Sequence, residues 1–193
     1  MAWLLVPLAY LLGSLSTAVI LSRGLGLPDP REAGSQNPGA TNVLRLGGKG
    51  AALGTLLGDA AKGLIPVLVA RELGATSAVL GSVGLAAFLG HLYPIFFRFR
   101  GGKGVATALG VLLGYSWTVG ILALATWIAV ATISRISSLS ALVAAGLAPV
   151  FVWISLGSAE LVAATTVMSF LLFYRHKSNI ERLLKGEELR IGG

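Results

Sequence analysis

Residues 2–21 read AWLLVPLAYLLGSLSTAVIL, an apolar run without a single charged side chain. A helix needs roughly 20 apolar residues to cross the hydrocarbon core of a bilayer. A signal peptide carries its positive charge before the apolar run, whereas here no Lys or Arg precedes the run and Arg23 follows it. We therefore expect a retained transmembrane helix with its N-terminus outside and Arg23 in the cytoplasm.

The composition of the whole chain is typical of an integral membrane protein. Of the 193 residues, 55% are hydrophobic and 12% are charged, whereas soluble domains have about 25% charged residues. The 26 glycines suit close packing between helices in lipid. The formal net charge is +7, but the cations lie at the ends of apolar segments, where they set topology and meet anionic lipid or an anionic substrate. A nucleic-acid partner is not expected.

Further apolar runs occur at residues 51–70 and 76–97, and each is long enough to form a span. Beyond them, the stretch 105–174 has only Arg135 and Glu160 as charged residues. The basic segments before and after this stretch should both be cytoplasmic, so an even number of spans must separate them. Four spans, rather than two, place Arg135 inside. The breaks expected between these four spans lie near residues 114–116, 135–137 and 157–158.

The sequence therefore predicts an all-α, polytopic integral membrane protein with seven transmembrane helices, or five if the stretch 105–174 contains only two. Its N-terminus is expected outside and its C-terminus in the cytoplasm. Residues 1–193 are expected to form a single domain, since no internal repeat divides the chain.

Two ionisable residues, Asp59 and Lys62, fall within the second predicted span. They are three residues apart and so lie on one face of the helix. Ionisable groups within the membrane are costly and are usually paired or functional. Either a mutual ion pair or a substrate-facing role accounts for them.

The polar stretch at residues 34–45 reads GSQNPGATNVLR and lies between the first two spans. It offers hydroxyls, amides and the Arg45 guanidinium, and its glycines and Pro38 are turn formers that let backbone N–H groups converge. Such N–H groups, together with hydroxyls and an Arg fork, form an anion site, most naturally for phosphate. The alternative is an ordinary solvated loop between two helices.

A short motif, GGKG, occurs at residues 47–50 and 101–104, each time just before a membrane helix. Glycines and a Lys at a helix N-terminus concentrate N–H donors and positive charge, which favours an anion. By charge, the loops at 34–45 and 98–104 and the tail from Arg175 all lie on the cytoplasmic side. We expect a phosphate-bearing ligand there, and a fatty chain on that ligand could lie between the helices.

Several catalytic devices are missing from the sequence. Without cysteine there is no thiol nucleophile, disulfide or Cys-based metal site. Neither the HExxH metal spacing nor the GxSxG nucleophile elbow occurs, and His91 lacks the Asp five residues later that many acyltransferases carry. We expect no metal and no cofactor. An enzyme with these residues would depend on positioning and on electrostatic stabilisation of its transition state.

Two other function classes fit the residues taken alone. A transporter or scramblase for phosphorylated compounds would suit the intramembrane Asp59 and Lys62, although the short chain and the lack of paired discontinuous helices disfavour it. A non-catalytic assembly factor would use its basic loops only to contact anionic lipid, and it would need no particular order of Asn, Thr and Gly. Without further information, enzyme and transporter are equally favoured.

Four linked motifs nevertheless resemble those of one family. They are GSQNPGATNVxR at 34–45, GDxxKG at 58–63, GHxYP followed by FxGGKGVAT at 90–107, and RHxxNIxRLxxGxE at 175–188. The family is the bacterial acyl-phosphate:glycerol-3-phosphate acyltransferases of the PlsY type, and the resemblance extends over the whole chain. Gln36 stands where the family usually has Gly, and Ser178 where it usually has Glu. Both are therefore left out of the candidate site.

The resemblance implies transfer of a fatty acyl group from acyl phosphate to the 1-hydroxyl of glycerol 3-phosphate, giving 1-acyl-glycerol 3-phosphate and phosphate early in phospholipid synthesis. It implies a seven-helix fold in the bacterial inner membrane with the active site at the cytoplasmic face. The donor's own phosphate could take the proton of the attacking hydroxyl, so no protein base is needed. The implied partners are acyl phosphate, glycerol 3-phosphate, membrane lipid and, as a candidate, the enzyme that makes acyl phosphate.

The resemblance also assigns site residues by position. The expected catalytic residues are Ser35, Asn37, Arg45, Lys103 and Asn179. The expected substrate-binding residues are Gly39, Ala40, Thr41, Asn42, His91, Gly101, Gly102, Gly104, His176 and Glu188. The loop at residues 35–42 is expected to cradle the donor phosphate, with hydrogen bonds donated by Ser35, Asn37, Thr41 and Asn42. Arg45 and Lys103 are expected to hold phosphate charge. The 101–104 loop is expected to let glycerol 3-phosphate approach the backbone, and Asn179, His176 and Glu188 to bind glycerol hydroxyls or to tie the loops together. Asp59 and Lys62 are then interpreted as a structural pair.

Overall fold

The computed structural model describes residues 2–191, and within that range the regular structure is entirely helical. The helices, in chain order, are α1 Leu5–Gly13, α2 Thr17–Gly24, α3 Ala40–Glu72, α4 Ser77–Leu92, α5 Val105–Tyr115, α6 Trp117–Ser134, α7 Ser137–Leu156, α8 Ala159–Arg175 and α9 Lys177–Lys185. Single 3₁₀ turns at Ala2–Leu4 and Ile95–Phe97 complete the list. The prediction of an all-α integral membrane protein is therefore confirmed.

Five segments of the described chain are long and apolar enough to cross a membrane. They are Ala2–Gly24, Ala40–Glu72, Ser77–Phe97, Trp117–Ser134 and Ser137–Leu156. The helices α5 and α8 are shorter, at 11 and 17 residues. The three expected breaks are confirmed, since helices end and restart at Ser116, at Arg135 and Ile136, and at Gly157 and Ser158. The count of seven crossings and the orientation of the termini stay predictions.

The first apolar run was expected to be one helix, and that expectation is wrong. It is broken between Gly13 and Thr17, where Ser16 takes an extended backbone conformation. A break within the membrane leaves carbonyl groups without helical partners. The ammonium group of Lys62, on α3, donates to the freed carbonyl of Leu15 at 2.8 Å.

The helix α3 also departs from expectation, because it begins at Ala40 rather than at residue 51. Its first two turns carry the C-terminal half of the polar stretch, which is therefore helical and not a loop. Gly48 has φ +77°, a value that L side chains rarely adopt, and it kinks α3 between the polar turns and the apolar span. The kink lets one continuous segment present Arg45 and also cross the apolar layer.

Glycines allow the close helix packing that the composition suggested. At the α3–α5 contact, a Cβ on Gly110 would overlap the Ala60 carbonyl, and a Cβ on Gly63 would overlap the Thr107 carbonyl. The backbones therefore meet directly, as expected for helices that associate in lipid. The core around them includes the fully buried side chains of Val67, Val83, Phe88, Leu92 and Val111.

Asp59 and Lys62 form the mutual ion pair that was one of the two interpretations. The Lys62 ammonium lies 2.8 Å from the Asp59 carboxylate, and both side chains are buried. Each charge compensates the other, because a single buried charge would carry a large desolvation cost.

Replacing Gly110 by Ala should destabilise the protein, because its methyl group would strike the Ala60 carbonyl. We expect a loss of about 1–3 kcal/mol, the usual cost of overpacking, seen as a lower midpoint of thermal unfolding in detergent. Gly146→Ala is the matched control, since its Cβ would meet only Phe173 Cζ at 3.8 Å. The control should be neutral or slightly stabilising, and equal effects of the two substitutions would contradict the packing described.

Candidate active site

One large cavity, of about 1270 Å³, opens among the polar segments and continues between the helices. Its polar part is lined by the 34–45 stretch, the 101–104 loop and the tail from Arg175, three segments far apart in sequence. Its apolar part is lined by α5, α6, α7 and α8 through residues such as Leu112, Ala123, Trp127, Ala145, Ala148 and Met168. The expected convergence of the polar segments is present in the fold.

Nearly all of the candidate site residues line this cavity. They are Ser35, Asn37, Gly39, Ala40, Thr41, Asn42, Arg45, His91, Gly101, Lys103, Gly104, His176, Asn179 and Glu188. Gly102 is the exception, because it is buried and packs on His91. Its backbone N–H donates to the His91 carbonyl at 3.2 Å.

The amide of Asn42 organises the first polar stretch from within. Its Oδ1 accepts from the Ser35 N–H at 2.9 Å, and its Nδ2 donates to the carbonyls of Pro30 at 2.9 Å and Ala33 at 3.0 Å. Both amide protons are thus engaged, and the side chain is 1% exposed. Asn42 therefore supports the loop, and its expected role as a phosphate donor stays a prediction.

Side chains on the other side of this loop are free to meet a ligand. Ser35, Thr41 and Arg45 are exposed and face the cavity. Gln36 is exposed beside them with φ +56°, a strained value for a residue with a Cβ. The loop therefore offers hydroxyls and one guanidinium to an anion while its own backbone is held by Asn42.

Arg175 fixes the 101–104 loop, a role that was not predicted from the sequence. Its guanidinium donates to the carbonyls of Gly101 at 2.8 Å and Gly102 at 3.3 Å. Gly104 has φ +87° and forms the N-cap of α5. The position of Arg175 at the start of the C-terminal motif was the only signal for it. The result is a fixed loop from which Lys103 extends into the cavity.

The carboxylate of Glu188 ties the tail to the rest of the site. It accepts from Ser138 Oγ at 2.7 Å, from Asn179 Nδ2 at 2.5 Å and from Arg182 Nε at 2.6 Å. The Asn179 Oδ1 in turn accepts from the Lys103 ammonium. Glu188 and Asn179 therefore tie the loops together, as one of the two expected tail roles required. Ser138 and Arg182 belong to this network and were missed, since only the fold brings Ser138 to the tail.

Burial sets the protonation states of the polar groups. Burial, together with the neighbouring Arg182 and Arg175, lowers the pKa of Lys103 to about 8. Burial also lowers the pKa of His176 to about 4, so that imidazole is neutral at pH 7, and its Nδ1 donates to the Leu172 carbonyl at 2.8 Å. Burial opposes ionisation of Glu188, but its hydrogen bonds outweigh burial and its pKa lies below the ordinary value.

A smaller pocket of about 260 Å³ adjoins the large cavity through shared lining residues. Its lining consists of Arg31, Gln36, Pro38, Phe99, Arg100, Gly101 and Arg175. Arg31 is paired there with Asp29 at 2.6 Å, and this hydrogen-bonded pairing lowers the pKa of Asp29 to about 2. The cationic character of the site thus extends beyond the main cavity.

The described residues combine a cationic, hydroxyl-rich region with an apolar passage between helices. Such a cavity can hold a phosphorylated molecule and a long hydrocarbon chain together. Among residues 2–191, no group of three or more His, Asp or Glu side chains could hold a metal ion.

Comparison with known proteins identifies relatives along nearly the whole chain. A profile of the family described as glycerol-3-phosphate acyltransferase matches residues 3–186. The glycerol-3-phosphate acyltransferase of Methylococcus capsulatus is 70% identical over 190 residues, which cover 98% of this chain and 96% of that protein. The one from Thioalkalivibrio sulfidiphilus is 61% identical over 184 residues, or 95% of this chain and 91% of that protein.

Two solved structures have the same fold. The glycerol 3-phosphate form of PlsY, an integral membrane glycerol 3-phosphate acyltransferase, is 41% identical with a TM-score of 0.94, and the match covers 99% of this chain and 96% of that one. The lysophosphatidic acid form of PlsY is 40% identical with a TM-score of 0.91, and the match covers 99% of this chain and 95% of that one.

Since the pKa of Lys103 is about 8, the site should lose positive charge in mildly alkaline solution. Lys103 is protonated below that value and loses its proton as the pH rises through it. At pH 9 about a tenth of Lys103 remains charged, so the affinity for inorganic sulfate, a phosphate analogue whose own charge is constant in this range, should fall about tenfold between pH 7 and pH 9 when measured by calorimetry.

Lys103→Arg is the control for this titration, because a guanidinium keeps its charge throughout the range. Its sulfate affinity should stay nearly constant from pH 7 to pH 9. His176 and Glu188 do not titrate in this window, since both groups ionise at lower pH. An equal decline in the wild type and the variant would show that Lys103 is not the group responsible.

Proposed function

This chain belongs to the glycerol-3-phosphate acyltransferase family of integral membrane enzymes, and from that premise we propose that its acyl donor is acyl phosphate. On this proposal the fatty acyl group passes to the sn-1 hydroxyl of glycerol 3-phosphate. The products are 1-acyl-glycerol 3-phosphate and inorganic phosphate.

The continuity of the cavity is the observation that supports this proposal best. Its polar part offers Arg45 and Lys103 to a phosphate, and its apolar part offers the surfaces of α5–α8 to a hydrocarbon chain. An acyl phosphate joins a phosphate to a fatty chain through one carbonyl group. Such a molecule matches the change from polar to apolar lining, with its reactive carbonyl at the boundary.

The cations of the site would act on the charge that moves during the reaction. The sn-1 oxygen forms a bond to the acyl carbon, the bond from that carbon to the phosphate oxygen breaks, and the electron pair leaves with the phosphate. Arg45 and Lys103 are suited to stabilise that developing charge. Ser35, Asn37 and Thr41 are the neutral donors for the same phosphate.

No protein base is required by this course. An acyl phosphate is already activated, and a phosphate oxygen can take the proton of the attacking hydroxyl. The contribution of the chain is then to hold two phosphorylated molecules in the reactive arrangement. The 34–45 stretch is proposed to hold the donor, and the 101–104 loop to admit glycerol 3-phosphate.

The location follows from the charge distribution of the chain. With the basic loops and tail facing the cytoplasm, the site lies at the inner face of the bacterial cell membrane, where glycerol 3-phosphate is dissolved and membrane lipid surrounds the helices. The enzyme that makes acyl phosphate is the proposed partner for delivering the donor. The 1-acyl-glycerol 3-phosphate would enter phospholipid synthesis.

Purified protein should make lysophosphatidic acid from palmitoyl phosphate and glycerol 3-phosphate, and it should release inorganic phosphate in equal amount. Palmitoyl-CoA at the same concentration should give no product, because it does not carry a phosphate next to its acyl carbon. Product formation from palmitoyl-CoA but not from palmitoyl phosphate would overturn the assignment of the donor.

Two substitutions connect this activity to the cavity. Ser35→Ala and Arg45→Ala each remove one group from the proposed phosphate site, a loss worth about 2–4 kcal/mol in a transition state. Turnover should fall about a hundredfold or more. Lys49→Ala is the matched control, since Lys49 is an exposed cation on the same helix and lies outside the cavity lining. Near-normal turnover in both site variants would refute the assignment.

A further inference from the structure

A buried polar cluster lies against the cavity at the level of the 101–104 loop. Asp59 Oδ1 is 3.7 Å from His91 Nδ1 and 2.8 Å from Lys62 Nζ. The side chains of all three residues are at most 6% exposed. Asp59 and His91 line the cavity, whereas Lys62 faces the Leu15 carbonyl at the break between α1 and α2. The cluster thus connects a helix break to the site.

The hydrogen bonding of this cluster is incomplete. Among the described residues, the buried His91 Nδ1 makes no hydrogen bond, because the neighbouring Asp59 Oδ1, at 3.7 Å, is beyond hydrogen-bond distance and is paired with the Lys62 ammonium instead. Buried polar atoms are nearly always satisfied, and an exception in a cavity wall calls for an explanation.

The charges of the cluster fix the chemical state of His91. Lys62 already compensates the charge of Asp59, so a positive imidazole would add an uncompensated buried charge. A neutral imidazole beside a carboxylate carries its proton on the nitrogen that faces the carboxylate. Here that nitrogen is Nδ1, and Nε2 is therefore left with a lone pair and can only accept a hydrogen bond.

The loop geometry brings this acceptor to the binding region. A Cβ on Gly102 would collide with His91 Nε2, and it would also come within 3.1 Å of the Pro38 carbonyl. Glycine at position 102 therefore lets the imidazole lie directly against the loop, next to the 34–45 stretch. A lone pair at this point repels phosphate oxygens and attracts a hydroxyl.

We propose that His91 Nε2 accepts a hydrogen bond from the sn-2 hydroxyl of glycerol 3-phosphate, and that Asp59 is a positioning residue which acts through His91. The inference rests on the proposed function, in which the sn-1 hydroxyl gives its proton to phosphate. The sn-2 hydroxyl keeps its proton throughout, and a neutral acceptor is the partner it needs. The hydroxyl end of the acceptor lies against His91, and its phosphate is held by the cations.

The proposal makes His91 a determinant of acceptor specificity. A site built to bind a hydroxyl rejects an analogue that lacks it, because its own polar group is then left unpaired. The probe is 1,3-propanediol monophosphate, which retains the sn-1 hydroxyl and the phosphate but has no sn-2 hydroxyl. The wild-type protein should bind glycerol 3-phosphate about tenfold or more tightly than this probe.

The test compares the two affinities by calorimetry, without an acyl donor, in the wild type and in variants that pass a thermal-unfolding check. His91→Phe keeps a ring of similar shape but removes the acceptor, and it should abolish the preference for glycerol 3-phosphate. Asp59→Asn should weaken the preference, because the carboxylate that selects the tautomer is gone. Asp59→Asn should add nothing in the His91→Phe background. Ser82→Ala, which removes a hydroxyl bonded only within α4, is the control and should keep the full preference.

Several results would overturn the proposal. A full preference in His91→Phe would remove His91 from acceptor recognition, and losses that add in the double variant would make Asp59 merely structural. If His91→Phe does not fold, His91→Gln decides, since its side-chain carbonyl can still accept and should retain part of the preference; none retained refutes the inference. Failure of the proposed donor would appear separately, as wild-type protein that binds glycerol 3-phosphate selectively yet makes no product from palmitoyl phosphate.

Discussion

The hydrogen bonds of the Glu188 carboxylate hold together the part of the molecule on which the rest of the site depends. Through Ser138, Asn179 and Arg182, the carboxylate joins the start of α7 to the helix α9 and the tail. Through Asn179, it reaches Lys103 on the loop before α5. A cation that is drawn out of water toward an apolar cavity needs such compensation. The network therefore makes it possible to place Lys103 in the wall of the cavity.

Elsewhere around the cavity, some side chains likewise support the loops, whereas others remain available to a ligand. Asn42 and Arg175 form hydrogen bonds with loop carbonyls and with one backbone N–H. Ser35 and Arg45, in contrast, remain exposed to the cavity. Fixed supports lower the entropy that a ligand must remove when it binds. The proposed reaction uses neither a thiol nor a protein base, so positioning and electrostatics are its proposed means of catalysis.

Much of this architecture could be predicted from the sequence, because composition and charge respond directly to the bilayer. The breaks at Ser116, Arg135 and Gly157 follow from polar or glycine residues between apolar runs. The break after Gly13 could not be predicted, since it lies within an apolar run and its freed carbonyl is satisfied by Lys62, 47 residues away. The candidate site residues followed from motif order, but the supporting roles of Asn42, Arg175 and Ser138 depend on contacts that only the fold creates.

The central claim is that separated polar segments form one site at a single face of the membrane. Because the chain lacks cysteine, single cysteines at the exposed positions Gln36, Ser178 and Glu72 can be labelled with a membrane-impermeant maleimide without background. The account predicts that positions 36 and 178 react only in inverted vesicles and that position 72 reacts only in intact cells. Labelling of positions 36 and 178 from opposite sides of the membrane would contradict it.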